Sequence, residues 1–399
     1  MAASRRKKFQ VILVFEIIIV IILAVFAFLL VKMNKINHHQ VNKKKLNVNE
    51  IEGFTNIILF GVDARGKELK NSTRSDTMIL VSINEKTKEI SLTSFYRDFY
   101  AFSPEEAGSD KPIKLDHTEF DKLTHAYNKG PEASIKEINT NFDLDVTDFV
   151  TVNFFALVKV IDELGGIEID IPNRRDLIND INKFGKEVAD KHKAKYTPIV
   201  KSGLQTINGY QAIGYSRTRK KDSDFNRAQR QREVINKMFE KFKKTASIST
   251  ANAVYNAVAE NMTTSFKTTE LIKLLADAPK YKIRKEIDSN YGNGFPYNAV
   301  EYLYKYYVNG KEQHISYQIS KSFKDDVIRL HYNLFNNGVL PPEFTEAEST
   351  SSSSSDDANT NSDSPTSTPS GGNGYKYTPS GTVDLISRYH EACYNKTAN

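Results

Sequence analysis

The stretch Asn56-Ile57-Ile58-Leu59-Phe60-Gly61-Val62 runs apolar without alternation until Asp63 ends it. A strand of that pattern is buried on both faces, so it needs a layer of structure on each side. Thr77 to Ile83 is similar, and Glu89 to Phe95 alternates as a third strand. Helical spacing covers Pro131 to Phe142, with proline placed for a first turn, and Asn153 to Leu164, which stops at Gly165-Gly166. Ile167 to Ile171 reads as a short strand closed by Pro172. Two further helices are predicted, from Phe225 to about Lys244 and from Thr268 to Ala278, the second closing before Pro279. Strands mixed with helices of this length predict an α/β fold layered as an α/β/α sandwich.

In front of this domain, Arg5, Arg6, Lys7 and Lys8 precede an apolar run from Phe9 to Val31. At about 1.5 Å per residue that run spans a bilayer core of roughly 30 Å. The basic cluster stays in the cytoplasm, which places the chain beyond Lys32 outside the cell. Val25-Phe26-Ala27 resembles a signal-peptide cleavage site, but the apolar run continues past it and favours an uncleaved anchor. The expected organisation is a cytoplasmic stub (1–8), one N-terminal transmembrane helix (9–31), an extracellular linker (32–50) and a folded domain (51–342). A Ser/Thr-rich disordered linker (343–374) and a C-terminal tail (375–399) follow. The expected location is the cell membrane, single-pass, with the bulk of the chain extracellular.

A single cysteine, Cys393, rules out an intramolecular disulfide framework and a cysteine-based zinc cage. An exported chain without disulfides fits the outer face of a Gram-positive-type cell. The net charge of +6 falls partly in the juxtamembrane lysines, and no basic stripe interleaved with aromatics points to nucleic acid. His117 and His125 lack metal-ligand spacing, and neither a Gly-x-Ser-x-Gly elbow nor a P-loop is present.

Chemistry concentrates where arginines sit among aspartates. Asp63 and Asp98 follow predicted strands, and Asp76 opens the next strand across a polar turn from Asp63. An antiparallel return brings Asp63 and Asp76 to one sheet edge, either to hold a Mg²⁺-like ion through oxygen or to pair with Arg65 and Arg74. Tyr215, Arg217 and Arg219 alternate, so an extended segment would point them to one face. Arg227 and Gln231, four apart, share a face near the start of the following helix, where an anion is favoured; Arg227, Arg230 and Arg232 otherwise read as a solvated basic face. Asp224 is either an ordinary N-terminal acidic residue of that helix or a general base. Guanidinium forks with carboxylates nearby suggest a pyrophosphate carrying a divalent cation.

Taken in order, these blocks resemble the LytR-CpsA-Psr family of bacterial cell-envelope phosphotransferases. The matching text is Asn56 to Arg65, Arg74-Ser75-Asp76-Thr77, Ser94 to Asp98, His125-Ala126-Tyr127, Val160 to Ile169, Gly203 to Ala212, and Tyr215 to Arg219 with Arg230-Gln231. The resemblance implies a mixed central sheet between helices, an apolar cavity for a polyprenyl chain and an arginine-rich mouth for its pyrophosphate. It implies transfer of a glycopolymer such as teichoic acid or capsular polysaccharide from undecaprenyl pyrophosphate to peptidoglycan, assisted by Mg²⁺ (or Mn²⁺). Carried over by motif, Asp63 and Asp76 serve the metal, while Arg65, Arg74, Arg97, Arg217, Arg219, Arg227 and Gln231 serve the pyrophosphate. Asp98 or Asp224 takes the proton of the attacking hydroxyl, beside Arg97. The rival readings are a non-catalytic glycopolymer-binding wall protein and a surface pyrophosphatase. Tyr96 replaces a proline common before Arg97-Asp98, and Phe99 a small hydroxyl residue, so the acceptor side departs from the family pattern.

Overall fold

The computed structural model describes residues 36–62, 74–103, 120–218, 224–285, 293–308, 311–341, 344 and 375–397. In chain order the strands are β1 (Asn37–His38), β2 (Phe54–Val62), β3 (Ser75–Asn84), β4 (Glu89–Phe95), β5 (Tyr100–Phe102), β6 (Phe120–Lys122) and β7 (Asp148–Asn153). There follow β8 (Ile167–Ile171), β9 (Gly203–Ile207), β10 (Met262–Thr264), β11 (Lys282–Ile283), β12 (Gly294–Phe295), β13 (Ala299–Val308) and β14 (Lys311–Ser320). The helices are α1 (Leu123–Ala126), α2 (Pro131–Phe142), α3 (Phe154–Glu163), α4 (Arg175–Lys191) and α5 (Gly209–Arg217). Then come α6 (Asp224–Thr245), α7 (Ile248–Ala259), α8 (Thr268–Asp277), α9 (Phe323–Phe335) and α10 (Gly381–Thr397).

The central sheet runs β1-β10-β7-β2-β3-β4-β11, with β12 also on β4. β2 pairs parallel to β7 but antiparallel to β3, so the sheet is mixed. Both faces are covered, as the apolar run at 56–62 requires. Period-2 alternation sends Ile58, Phe60, Met78, Leu80 and Phe95 into one core with α2, α9 and α10. It sends Ile57, Ile79, Ile83, Ile90 and Leu92 to the other side, against Ile235 and Phe239 of α6.

Two boundaries differ from those read in the sequence. The expected extracellular linker is part of the fold over 36–50: β1 pairs parallel to β10, and Leu46, 1% exposed, sits in the core. Its carbonyl accepts from Asn139 Nδ2 at 2.8 Å. Isolated anchors such as Ile36 and Leu46 have no periodicity to betray them. The expected C-terminal tail instead carries α10, whose Val383, Ile386 and His390 are buried. Asp143 secures its approach by accepting from Tyr377 Oη at 2.6 Å and from the Ser380 amide at 2.8 Å. The Ser-rich stretch, apart from Phe344, and the apolar run 9–31 lie outside the described residues. Among those described, no helix is long and apolar enough to cross a membrane.

Candidate functional site

Between the α6 side of the sheet and its helices lies a cavity of about 570 Å³. Register explains its floor. Val150, Leu59 and Ile79 form one cross-strand row, and Val152, Gly61 and Thr77 form the next. Gly61 is needed here: a Cβ at this position would lie 2.9 Å from Thr77 Cβ, so the second row is shallow and the space above it stays open. Leu157 and Val160 of α3, Val234 and Met238 of α6 and Val258 of α7 close the roof with apolar side chains.

Polar groups gather at one end: Asp76, Arg97, Ser216, Arg217, Arg227 and Gln231. Asp76 is set by the start of β3, which the Thr124 hydroxyl holds by donating to the Ser75 carbonyl at 2.8 Å. Arg97 follows β4 in a turn tied by the Thr124 amide donating to the Arg97 carbonyl at 3.0 Å. Its guanidinium pairs with Asp76 and, through Nε at 3.2 Å, with Asp98. Burial works against the Arg97 charge, but Asp98 and Asp76 outweigh it and raise the arginine pKa.

Arg217 ends α5 rather than an extended ladder. The expected alternation of Tyr215 and Arg217 fails because Asn208 starts a helix with a capping box and the turn continues through Arg217. Tyr215 points away from the cavity mouth, donating to Glu233 at 2.7 Å. The Arg217 guanidinium lies 5.0 Å from the Phe154 ring centroid and 5.4 Å from that of Phe184, with Glu187 at 3.8 Å. These rings hold the cation by its faces, and Glu187, 3.8 Å from Nη1, is beyond hydrogen-bond reach. Arg217 Nη1 and Arg227 Nε are buried and have no hydrogen-bond partner among the described residues. Unmet buried donors of this kind are costly, and an anion in the mouth would satisfy them.

The solvated-face reading of α6 is corrected as well: Arg227, Arg230 and Arg232 are 6%, 8% and 3% exposed. Arg230 donates to the carbonyls of Tyr215 at 3.1 Å and Thr218 at 2.6 Å, clamping the C-terminal end of α5 where the helix dipole is negative. Arg232 donates to Ser94 Oγ at 2.9 Å. Only Arg227 of the three lines the cavity, with Gln231 one turn on. The helix periodicity is right, but it cannot tell a sheet-facing side from a wet one.

Asp98 and Asp224 sit elsewhere. Both line a second cavity of about 560 Å³, on the far side of the Arg97 turn. Lys122 Nζ reaches Asp98 at 2.7 Å. Burial pushes the Asp98 carboxyl up, but Arg97 and Lys122 pull harder and hold it below the ordinary carboxylate range. Asp224 is 3.5 Å from Arg227 across one helical turn. Arg74 is exposed at the entry to β3. Asp63, Arg65 and Arg219 lie outside the described residues, although Val62 pairs with Ser75, so the two strand ends do meet. Sequence reasoning missed Phe184 and Lys122; the first sits on α4, whose pattern was not recognised.

Fold and cavity together define an α/β/α protein with an apolar chamber under a cationic mouth. The chain belongs to the LytR-CpsA-Psr family, which it matches over residues 24–321. It is 32% identical over 287 residues to an uncharacterized protein of Staphylococcus aureus, covering 68% of this chain and 64% of that one. It is 27% identical over 316 residues to the polyisoprenyl-teichoic acid–peptidoglycan teichoic acid transferase TagT of Bacillus subtilis, covering 76% of this chain and 89% of TagT. Among solved structures, a Streptococcus agalactiae protein is 27% identical with a TM-score of 0.51, covering 74% of this chain and 95% of that one. TagT bound to LI-WTA has the same fold at 23% identity and a TM-score of 0.51, covering 74% of this chain and 99% of TagT.

Proposed function

We propose that this chain is a membrane-anchored phosphotransferase. It would move an anionic glycopolymer, teichoic acid or capsular polysaccharide, from undecaprenyl pyrophosphate to a peptidoglycan hydroxyl. The observation that carries this reading is the cavity itself: an apolar chamber that ends at Arg97, Arg217 and Arg227, two of them with unmet N–H donors. An isoprenoid fits the chamber and its pyrophosphate fits the mouth. The teichoic acid transferases among its relatives support the same chemistry.

The acceptor oxygen bonds to the phosphorus bearing the glycan while that phosphorus loses its bridging oxygen, leaving polyprenyl monophosphate. The hydroxyl proton passes to an ionised carboxylate, Asp98 or Asp224. Phosphoryl transfer depends mainly on positioning and neutralisation, and each charge-assisted hydrogen bond from an arginine contributes on the order of 1.5–3 kcal/mol. Asp76 offers a hard oxygen donor at the mouth, and Asp63 is the second candidate ligand for Mg²⁺ (or Mn²⁺). Such an ion would neutralise charge on the phosphate oxygens. Residues 9–31 would anchor the chain in the cell membrane with its bulk outside.

The test gives the full-length chain a polyprenyl-pyrophosphate-linked glycan and a peptidoglycan oligomer, with Mg²⁺ or with EDTA. Mg²⁺-dependent attachment that Arg217→Ala lowers by about a hundred- to a thousandfold is the expected result. Lipid binding without product would turn the reading into a binding protein, and free glycan phosphate without attachment into a pyrophosphatase.

A further inference from the structure

The second cavity, which the first does not explain, has the opposite chemistry. Asp98, Asp224 and Glu301 contribute three carboxylates to its wall, and among the described residues no lysine or arginine lines it, although Lys122 pairs with Asp98 from behind at 2.7 Å. Tyr96, Phe225 and Tyr297 contribute aromatic surface. Acidic groups repel phosphate, whereas carboxylates accept hydrogen bonds from hydroxyls and ring faces pack against the C–H faces of a sugar.

The two cavities share a wall made of ion pairs. Arg97 lines the first and its neighbour Asp98 the second, with Nε to Oδ2 at 3.2 Å. Arg227 lines the first and Asp224 the second, 3.5 Å apart. Both pairs point the same way, arginine toward the apolar chamber and carboxylate away from it. At these two places the cavities are separated by the width of one ion pair.

The floor of the second cavity is held by close packing. Tyr96 packs over Gly294, where a Cβ would fall 2.1 Å from the Tyr96 hydroxyl. The backbone of β14 is fixed beside Asp98, whose carbonyl accepts from the Gln318 amide at 2.8 Å. The β13–β14 hairpin thus supplies Glu301, whose carboxylate accepts from Ser316 Oγ at 2.6 Å.

We infer that this second cavity seats the acceptor, as an uncharged, hydroxyl-rich sugar whose attacking hydroxyl faces the Asp98–Arg97 and Asp224–Arg227 pairs. The inference rests on the transfer reading and adds the direction from which the acceptor arrives. Phe225→Ala and Glu301→Gln in the full-length chain test it, the second being a rim change that leaves the core alone. Each is expected to raise the KM for a soluble peptidoglycan strand by about tenfold with kcat held, the signature of lost acceptor binding. Octaprenyl pyrophosphate should bind both variants as it binds the parent. Chitotetraose, followed by saturation-transfer NMR, should contact the parent and lose that contact in Phe225→Ala. If octaprenyl pyrophosphate binds and both variants keep the parent's acceptor KM, the acceptor assignment is overturned while transfer stands. If octaprenyl pyrophosphate does not bind the parent, the transfer reading falls, and this inference with it.

Discussion

The same strands build two unlike faces. On the α2 side, Phe60 and Phe95 stand beside Phe142, Phe149 and Phe295 in a solid aromatic core. Phe95 stacks on Phe142 at 4.6 Å between centroids, and Phe295 meets Phe142 at 4.7 Å. On the α6 side the neighbouring positions are Gly61, Thr77 and Ser94; the space above Gly61 and Thr77 is hollow, and that above Ser94 is taken by the Arg232 guanidinium. One residue along each strand exchanges a large side chain for a small one. Rigidity is concentrated on one face, and the other is left free to hold a long apolar guest. Stability and binding are therefore separable by face.

The largest effect should come from the solid face. Phe142→Ala is expected to cost about 3–5 kcal/mol in chemical denaturation, with transfer by the remaining folded protein unchanged. Loss of activity without loss of stability would break the separation. Arg217→Ala should do the reverse, lowering transfer by about a hundred- to a thousandfold. Its thermal midpoint should change little, because the buried Nη1 without a hydrogen bond is removed together with the contacts to Phe154 and Phe184.

A pH series sharpens the contrast. His331 is buried in the aromatic core, with Nδ1 2.8 Å from the Tyr375 hydroxyl and Nε2 2.8 Å from the Phe142 carbonyl. Burial, opposed only partly by that carbonyl, lowers its pKa from 6.5 to about 4. The folded state then binds fewer protons than the unfolded state between these values, so stability falls as pH drops from 6.5 toward 4. The loss attributable to His331 is roughly 3 kcal/mol. His331→Gln should flatten the slope in that window, as read by urea melts at each pH. The smallest effect is expected from Val152→Phe, which fills the hollow floor. Polyprenyl-pyrophosphate binding should weaken by about tenfold, with little change in melting temperature.

Much of this could be read in advance. Strands at 56–62 and 89–95, the helices at 131–142 and 268–277 and the antiparallel return of the second strand on the first follow from periodicity and turn spacing. The relation of Arg227 to Gln231 followed from helical geometry and is what the cavity uses. The docking of α10, the role of residues 36–50 and the hairpin of β13 and β14 did not show, because sparse anchors leave no clear period and half-buried tyrosines such as Tyr302 and Tyr304 are weak core signals.

The sequence by itself determined which residue types meet at each strand end, since local pattern fixes strand, turn and side-chain face. It placed Arg97 beside Asp98 and Asp224 one turn before Arg227. Only the tertiary structure decided that each pair is split between two cavities, arginine inward to an apolar chamber and carboxylate outward to an acidic one. Burial also decided that Arg230 clamps a helix end instead of facing water. Both outcomes depend on which distant segment packs over a face, and that is set by long-range contacts that local spacing does not encode.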